Sequence, residues 1–153
     1  MHWYLVKTKA RQEFRAREHL ENQSFRTYLP VLTRKSGKDE ALFPGYIFLA
    51  ASDSEEALGV VRSTRGVLGF VRFGEELATA SEALIDDLRM LEAHFRDVPR
   101  FLPGQELLCK SGPFAGLRAI FECESGEERC IVLMNILNSP RAVRVKLSDL
   151  EPA

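Results

Sequence analysis

The sequence predicts an α+β protein in two parts: a sheet flanked by helices, then a small closed β-barrel. Three observations predict it. Residues 1–98 alternate short β-rich runs with amphipathic helical stretches, and one sheet with helices packed against it buries both kinds of apolar face. Pro99 and Pro103-Gly104 interrupt that pattern, so 99–103 reads as a linker. Residues 104–153 resume as short β-rich runs separated by tight turns, and closing them into a barrel removes unpaired edges.

Each element follows from local chemistry. Trp3-Tyr4-Leu5-Val6 is aromatic and β-branched and opens the sheet. From Arg11 to about Gln23 the spacing is helical. Ala10, Phe14, Ala16 and Leu20 share one broad side, and Arg11, Arg15, Glu18, His19 and Asn22 share the other. Residues 25–29 form a second strand stopped by Pro30. Residues 33–40, with Arg34, Lys35, Gly37 and Lys38, form an exposed loop. After the Pro44-Gly45 turn, residues 46–50 are a third strand. Asp53 caps a helix over 55–62, where Glu55 and Glu56 suit the positive end. Gly66 breaks the chain before a fourth strand at 67–73. Thr79 or Ser81 caps a last helix striped by Leu84, Ile85, Leu88, Leu91 and Phe95. Beyond the linker, strands are predicted at 106–109, 118–123, 130–137 and 142–147.

Composition narrows the function classes. At 153 residues, 45% hydrophobic and 28% charged, the chain is an ordinary globular sequence. No apolar run approaches the roughly 18 residues that span a bilayer. The N-terminal apolar patch is short and followed by Lys7, Lys9 and Arg11, which is not a signal peptide, so a cytoplasmic location with no membrane association is expected. Cys109, Cys123 and Cys130 are odd in number and lack metal-ligand spacing, which predicts free, mostly buried thiols and neither metal nor cofactor. The net charge of −1 hides an asymmetry of about +4 over residues 1–50 and about −4 over 51–100.

Catalytic signals are lacking. His2, His19 and His94 stand in no nucleophile motif, no glycine-rich phosphate loop occurs, and Asp86-Asp87 and Glu75-Glu76 read as solvated pairs. A binding protein is expected, not an enzyme. Lys9 and Arg11 open the first helix, and Arg15, His19 and Gln23 follow at steps of four. Such a face can hold phosphates and base edges, or can be merely solvated, with Glu13 and Glu18 as internal partners. Thr64-Arg65 is a similar small cluster at a turn, or a local turn hydrogen bond. Phe43, Tyr46 and Phe48 pack a core or leave one face for a partner. Tyr46 and Phe48 share one side of their strand, and Ile47 and Leu49 the other.

Taken in order, Trp3-Tyr4, the basic helix, Leu42-Phe43-Pro44-Gly45-Tyr46-Ile47-Phe48 and Thr64-Arg65-Gly66-Val67…Phe70-Val71 resemble the N-terminal domain of the NusG family. Pro103-Gly104…Gly112-Pro113-Phe114-Ala115-Gly116 looks like its KOW module. Phe70-Val71-Arg72-Phe73-Gly74 and Gly116-Leu117-Arg118-Ala119-Ile120-Phe121 are most similar to the specialised RfaH branch.

The resemblance implies a monomeric, non-enzymatic elongation and antitermination factor with an antiparallel N-terminal sheet (1–98), a linker (99–103) and a KOW barrel (104–153). Phe43, Tyr46 and Phe48 match the patch that docks on the β′ clamp helices of RNA polymerase. Lys9, Arg15, His19, Gln23, Thr64 and Arg65 match positions that read the exposed single-stranded non-template DNA, with Arg11 compensating for Ala10, where a basic residue is expected. The C-terminal module implies a ribosomal protein of the NusE type as partner. Ala57-Leu58-Gly59-Val60 lacks the His-Thr-rich stretch by which the branch touches the polymerase β subunit. The branch can also hold its C-terminal domain as a helical hairpin over the docking patch, with Glu40 and Arg129 at its inter-domain salt bridge. Leu107, Phe114, Phe121, Ile131, Leu133 and Ile136 could pack either way. Pro140 disfavours one long second helix, so the barrel is expected as the preferred form, with a shorter helical state when docked. A general NusG-like factor without DNA specificity, and a KOW-type RNA- or ribosome-binding adaptor, are the alternatives.

Overall fold

Trp3-Tyr4-Leu5-Val6 is an unbroken apolar run, and a strand of that composition needs both of its faces covered. It lies in β1 (His2–Thr8), whose antiparallel partner is β5 (Tyr46–Ala51), with Trp3 opposite Ala50 and Leu5 opposite Phe48. The computed structural model describes residues 2–33, 37–97 and 117–138. β2 (Arg26–Tyr28) flanks β5, and β6 (Val67–Phe70) and β9 (Thr79–Ala80) flank β1, giving the order β2-β5-β1-β6. Every pairing is antiparallel, as expected. Trp3 to Val6 and Ile47 to Ala51 are buried without a break. The fourth predicted strand is split: Val71 still donates to Leu5 O of β1 at 3.0 Å, and the chain leaves the sheet after it. A small hairpin of β7 (Arg72–Phe73) and β8 (Glu76–Leu77) follows, turning at Gly74, whose φ is +67°.

Two unusual ends delimit α1 (Glu13–Asn22). At its start, the Gln12 amide donates to the Lys9 carbonyl at 3.0 Å, closing a turn in which Arg11 holds φ +61°. At its finish, Ser24 holds φ +72° while Ser24 and Phe25 donate to Glu21 and Leu20 at 2.9 and 3.2 Å. That is the Schellman arrangement, with serine where glycine is usual. α2 (Glu55–Arg62) is capped by Ser54, whose Oγ accepts from Ala57 N at 3.1 Å, one residue later than the predicted Asp53 cap.

One expectation for α1 is corrected. Ala16 and Leu20 are buried, but Phe14 is 38% exposed and Ala10 is also exposed. The inward position is taken by Glu13, whose carboxylate accepts from Gly45 N at 2.7 Å. The Arg17 guanidinium lies 5.2 Å from the centroid of the displaced Phe14 ring.

The contacts divide the chain into two units, one of Met1–Leu29 with Phe43–Ser81, the other of Pro30–Leu42 with Glu82–Ala153. In the second unit, β3 (Val31–Thr33) and β4 (Asp39–Ala41) pair, with Thr33 Oγ1 donating to Asp39 Oδ1 at 2.7 Å. Part of the predicted 33–40 loop is therefore a hairpin. Arg34 and Lys35 lie outside the described residues, and Lys38 is exposed. α3 (Glu82–Asp97) buries Leu84, Ile85, Leu88 and Leu91 as predicted, and its Glu92 carboxylate accepts from Val31 N at 3.1 Å.

The larger correction is C-terminal. The strands predicted at 118–123 and 130–137 are instead α4 (Arg118–Glu122) and α5 (Gly126–Asn138). Leu117, Ile120 and Phe121, then Arg129, Leu133, Ile136 and Leu137, are buried at helical spacing. Ser125 Oγ accepts from Glu128 N at 3.3 Å, and Ser125 O accepts from Arg129 N at 3.1 Å. The Ser125-Gly126 pair read as a strand-to-strand turn is thus a helix cap of the Ser-x-x-Glu kind. Ile131, expected to pack, is 55% exposed. The 99–103 linker, the strands expected at 106–109 and 142–147, and Leu107, Phe114 and Pro140 lie outside the described residues.

Candidate nucleic-acid interface

Three contacts fasten α1 to the turn that follows α2. The Lys9 amide donates to Gly66 O at 2.8 Å. Gln23 Nε2 donates to Thr64 Oγ1 at 2.8 Å. Between them the chain passes so closely that a Cβ on Gly66, whose φ is +89°, would sit 3.2 Å from Ala16 Cβ. Lys9, Arg11, Arg15, His19, Gln23, Thr64 and Arg65 therefore belong to one helix-and-turn assembly.

Their roles in it differ. Lys9, Arg11, Arg15, Gln23 and Arg65 are exposed, and His19 is half-buried. Thr64 is buried. Its hydroxyl donates to Val60 O at 2.9 Å while accepting from Gln23, so it holds Gln23 in place. Gln23 Nε2 also reaches His19 O at 3.2 Å. The carboxylate nearest the cations, Glu13, is turned inward onto Gly45, which leaves the start of the helix predominantly cationic.

Arg11 occupies the third position of its turn, where a positive φ favours glycine. Arg11→Gly should raise stability by about 1 kcal/mol by relieving the left-handed backbone. Thermal melts of the two chains check it.

The aromatic group is largely covered. Phe43 and Phe48 are 1% and 0% exposed, and Tyr46 is half-buried. Phe48 meets Phe43 edge-on at 6.3 Å and stacks on Tyr28 at 6.0 Å. The Phe43–Tyr46 turn closes through Tyr46 N to Phe43 O at 3.0 Å, with Gly45 at φ +87°. In the second unit, buried Arg129 donates through Nη2 to Glu40 Oε1 at 3.2 Å. Its Nε reaches Leu42 O at 2.7 Å, and its Nη1 reaches Cys123 O and Glu124 O at 2.8 and 3.3 Å.

The family-level comparison decides the identity of this scaffold. A family model described as transcription termination factor nusG matches residues 1–89. The chain belongs to the NusG family. Similar proteins include the "Transcription termination/antitermination protein NusG" of Staphylococcus carnosus TM300, 27% identical over 171 residues, covering 97% of this chain and 94% of that one. The protein of the same description from Staphylococcus aureus Mu50 is 27% identical over 172 residues, with the same coverage. A solved structure described as "Domain interaction in Thermotoga maritima NusG" is 25% identical, with a TM-score of 0.48, covering 61% of this chain and 58% of that one.

Sequence reasoning missed two features of this NusG-family chain. Nothing in the helical periodicity marks Glu13 as buried, although the Pro44-Gly45 turn supplies an amide in need of an acceptor. Helical periodicity places Phe14 on the apolar side with Ala16 and Leu20, whereas its ring is exposed and pairs with Arg17 three residues on. Cys123 and Cys130 are half-buried and not disulfide-bonded, and burial pushes the Cys123 thiol up; Cys109 lies outside the described residues. Among the described residues, no group of three or more His, Cys, Asp or Glu could hold a metal ion, and no helix is long and apolar enough to cross a membrane.

Proposed function

We propose that the protein is an RfaH-type elongation and antitermination factor. It binds the β′ clamp helices of RNA polymerase through Phe43, Tyr46 and Phe48. It reads the exposed non-template strand with the α1 face and the Thr64-Arg65 turn, and recruits a ribosomal protein of the NusE type through its C-terminal residues. The observation that carries this reading is the helical α4–α5 pair fixed by Arg129 on Glu40, the arrangement that resemblance to this branch implies. The bond from Gln23 to Thr64, which ties the helix carrying Arg15 and His19 to the Thr64-Arg65 turn, supports the DNA-reading part. Docking through Phe43 and Phe48 requires that they first be uncovered, so polymerase binding is coupled to a rearrangement. Ala57-Leu58-Gly59-Val60 offers no His-Thr stretch, so the reading places polymerase contact on β′ alone.

Arg15 is exposed, so reversing its charge leaves the core intact. Arg15→Glu is expected to abolish sequence-selective recruitment in a transcription pausing assay without lowering the melting temperature. Normal recruitment of that variant would refute DNA reading by α1. The relatives' descriptions favour a second reading, a general elongation factor without DNA specificity. Under it, elongation complexes with scrambled non-template strands bind as well as native ones.

A further inference from the structure

We propose that Phe14, backed by Arg17, is a stacking platform for one nucleobase of single-stranded nucleic acid, extending the α1 interface past Arg15. The inference rests on the reading of α1 as a single-strand interface. It starts from an inversion: of two adjacent side chains, the carboxylate of Glu13 is buried and the phenyl ring of Phe14 is 38% exposed. The packing that gives Gly45 N its acceptor turns the aromatic out.

The surroundings of the ring select the occupant. Phe14 follows the turn that presents Lys9 and Arg11, adjoins Arg15, and has Arg17 5.2 Å from its centroid. Its exposed neighbours on the helix are charged, not apolar. A nucleotide needs one π-face and a cation for the adjoining phosphate, and Phe14 with its arginine neighbours offers both. Arg11 and Arg15 are placed to take that phosphate. Glu18 and Glu21, the latter accepting from Thr27 Oγ1 at 2.7 Å, lie further along the helix and repel it, which directs the backbone toward the α1 N-terminus. Leu68 and Ile131 are more exposed, at 56% and 55%, but have no π-face.

The test is titration of the full-length chain with a fluorescent single-stranded DNA oligonucleotide and with the same oligonucleotide carrying abasic positions. Phe14→Leu, which keeps apolar bulk, is expected to weaken binding of the intact strand about fivefold or more. Phe14→Trp is expected to retain it, with the new indole quenched on binding while Trp3, 3% exposed, is not. Abasic substitution is expected to weaken the native chain but not Phe14→Leu further. If Phe14→Leu binds as the native chain does while Arg15→Glu does not, the platform is overturned and the interface reading stands. If Phe14→Leu loses polymerase and keeps the oligonucleotide, Phe14 is a protein contact and the proposal falls. If the native chain binds no oligonucleotide up to millimolar concentration, the interface reading falls with it.

Discussion

Arg129→Met is expected to strip most of the helix from α4 and α5 in the full-length chain. Arg129 is 1% exposed and satisfies four acceptors: Glu40 Oε1 and the carbonyls of Leu42, Cys123 and Glu124. Methionine keeps the volume and removes every donor. Glu40, whose side chain is 35% exposed, can turn to water, so the loss of the ion pair itself contributes at most about 1 kcal/mol. The stranded carbonyls carry the larger cost: an unsatisfied buried acceptor such as Leu42 O costs about 1–3 kcal/mol, and the part-buried carbonyls of Cys123 and Glu124 add to it. Glu40→Gln should be much milder, at or below about 1 kcal/mol, because the Glu40 side chain is 35% exposed and glutamine still offers an oxygen. Far-ultraviolet circular dichroism and amide protection at residues 117–138 measure both. Unchanged helicity in Arg129→Met would show that apolar packing by Leu117, Ile120, Leu133 and Ile136 suffices.

Gly66→Ala is expected to destabilise the first unit by about 2–5 kcal/mol, two terms contributing. An alanine at φ +89° costs about 1–2 kcal/mol in backbone strain. Its methyl would also lie 3.2 Å from Ala16 Cβ and 3.3 Å from Ala16 Cα and N, and relieving such overpacking costs about 1–3 kcal/mol. Gly74→Ala separates the terms. Gly74 has φ +67° but nothing within 4 Å of an added Cβ, so its loss should be the strain alone. Urea unfolding of both variants gives the difference. Equal losses would mean that α1 moves aside freely and that Gly66 does not fix its distance from the turn. Where α1 is displaced, the Gln23–Thr64 bond is lost, and under the proposed DNA-reading role affinity for the strand would fall with stability.

The N-terminal sheet was legible because its signals agree at every level. Trp3–Val6 in β1 and Ile47–Ala51 in β5 are apolar without interruption, and α3 repeats Leu84, Ile85, Leu88 and Leu91 at helical spacing. The C-terminal residues were misread where the signals conflict. Ile131-Val132 and Ile136-Leu137 have strand composition, yet Arg129, Leu133, Ile136 and Leu137 form a helical stripe completed by a charged residue. A pattern search over apolar residues alone passes over Arg129, and its long-range acceptors lie 87 and 89 residues away. The basic α1 face and the Thr64-Arg65 turn were each visible, but the bond joining them spans 41 residues and has no local signature. Phe14 failed for a related reason. Its outward turn depends on Gly45, which is distant in sequence.

The fastening of α1 to the Thr64–Gly66 turn also bears on the economy of recognition. Lys9 N, Ala16 and Gln23 are tied before any ligand arrives, so the backbone beneath the interface has little freedom left to surrender. Association should then proceed with near-rigid kinetics and a small entropic penalty. Under the proposed single-strand role, such a pre-tied surface would discriminate chiefly by refusing strands whose shape does not match.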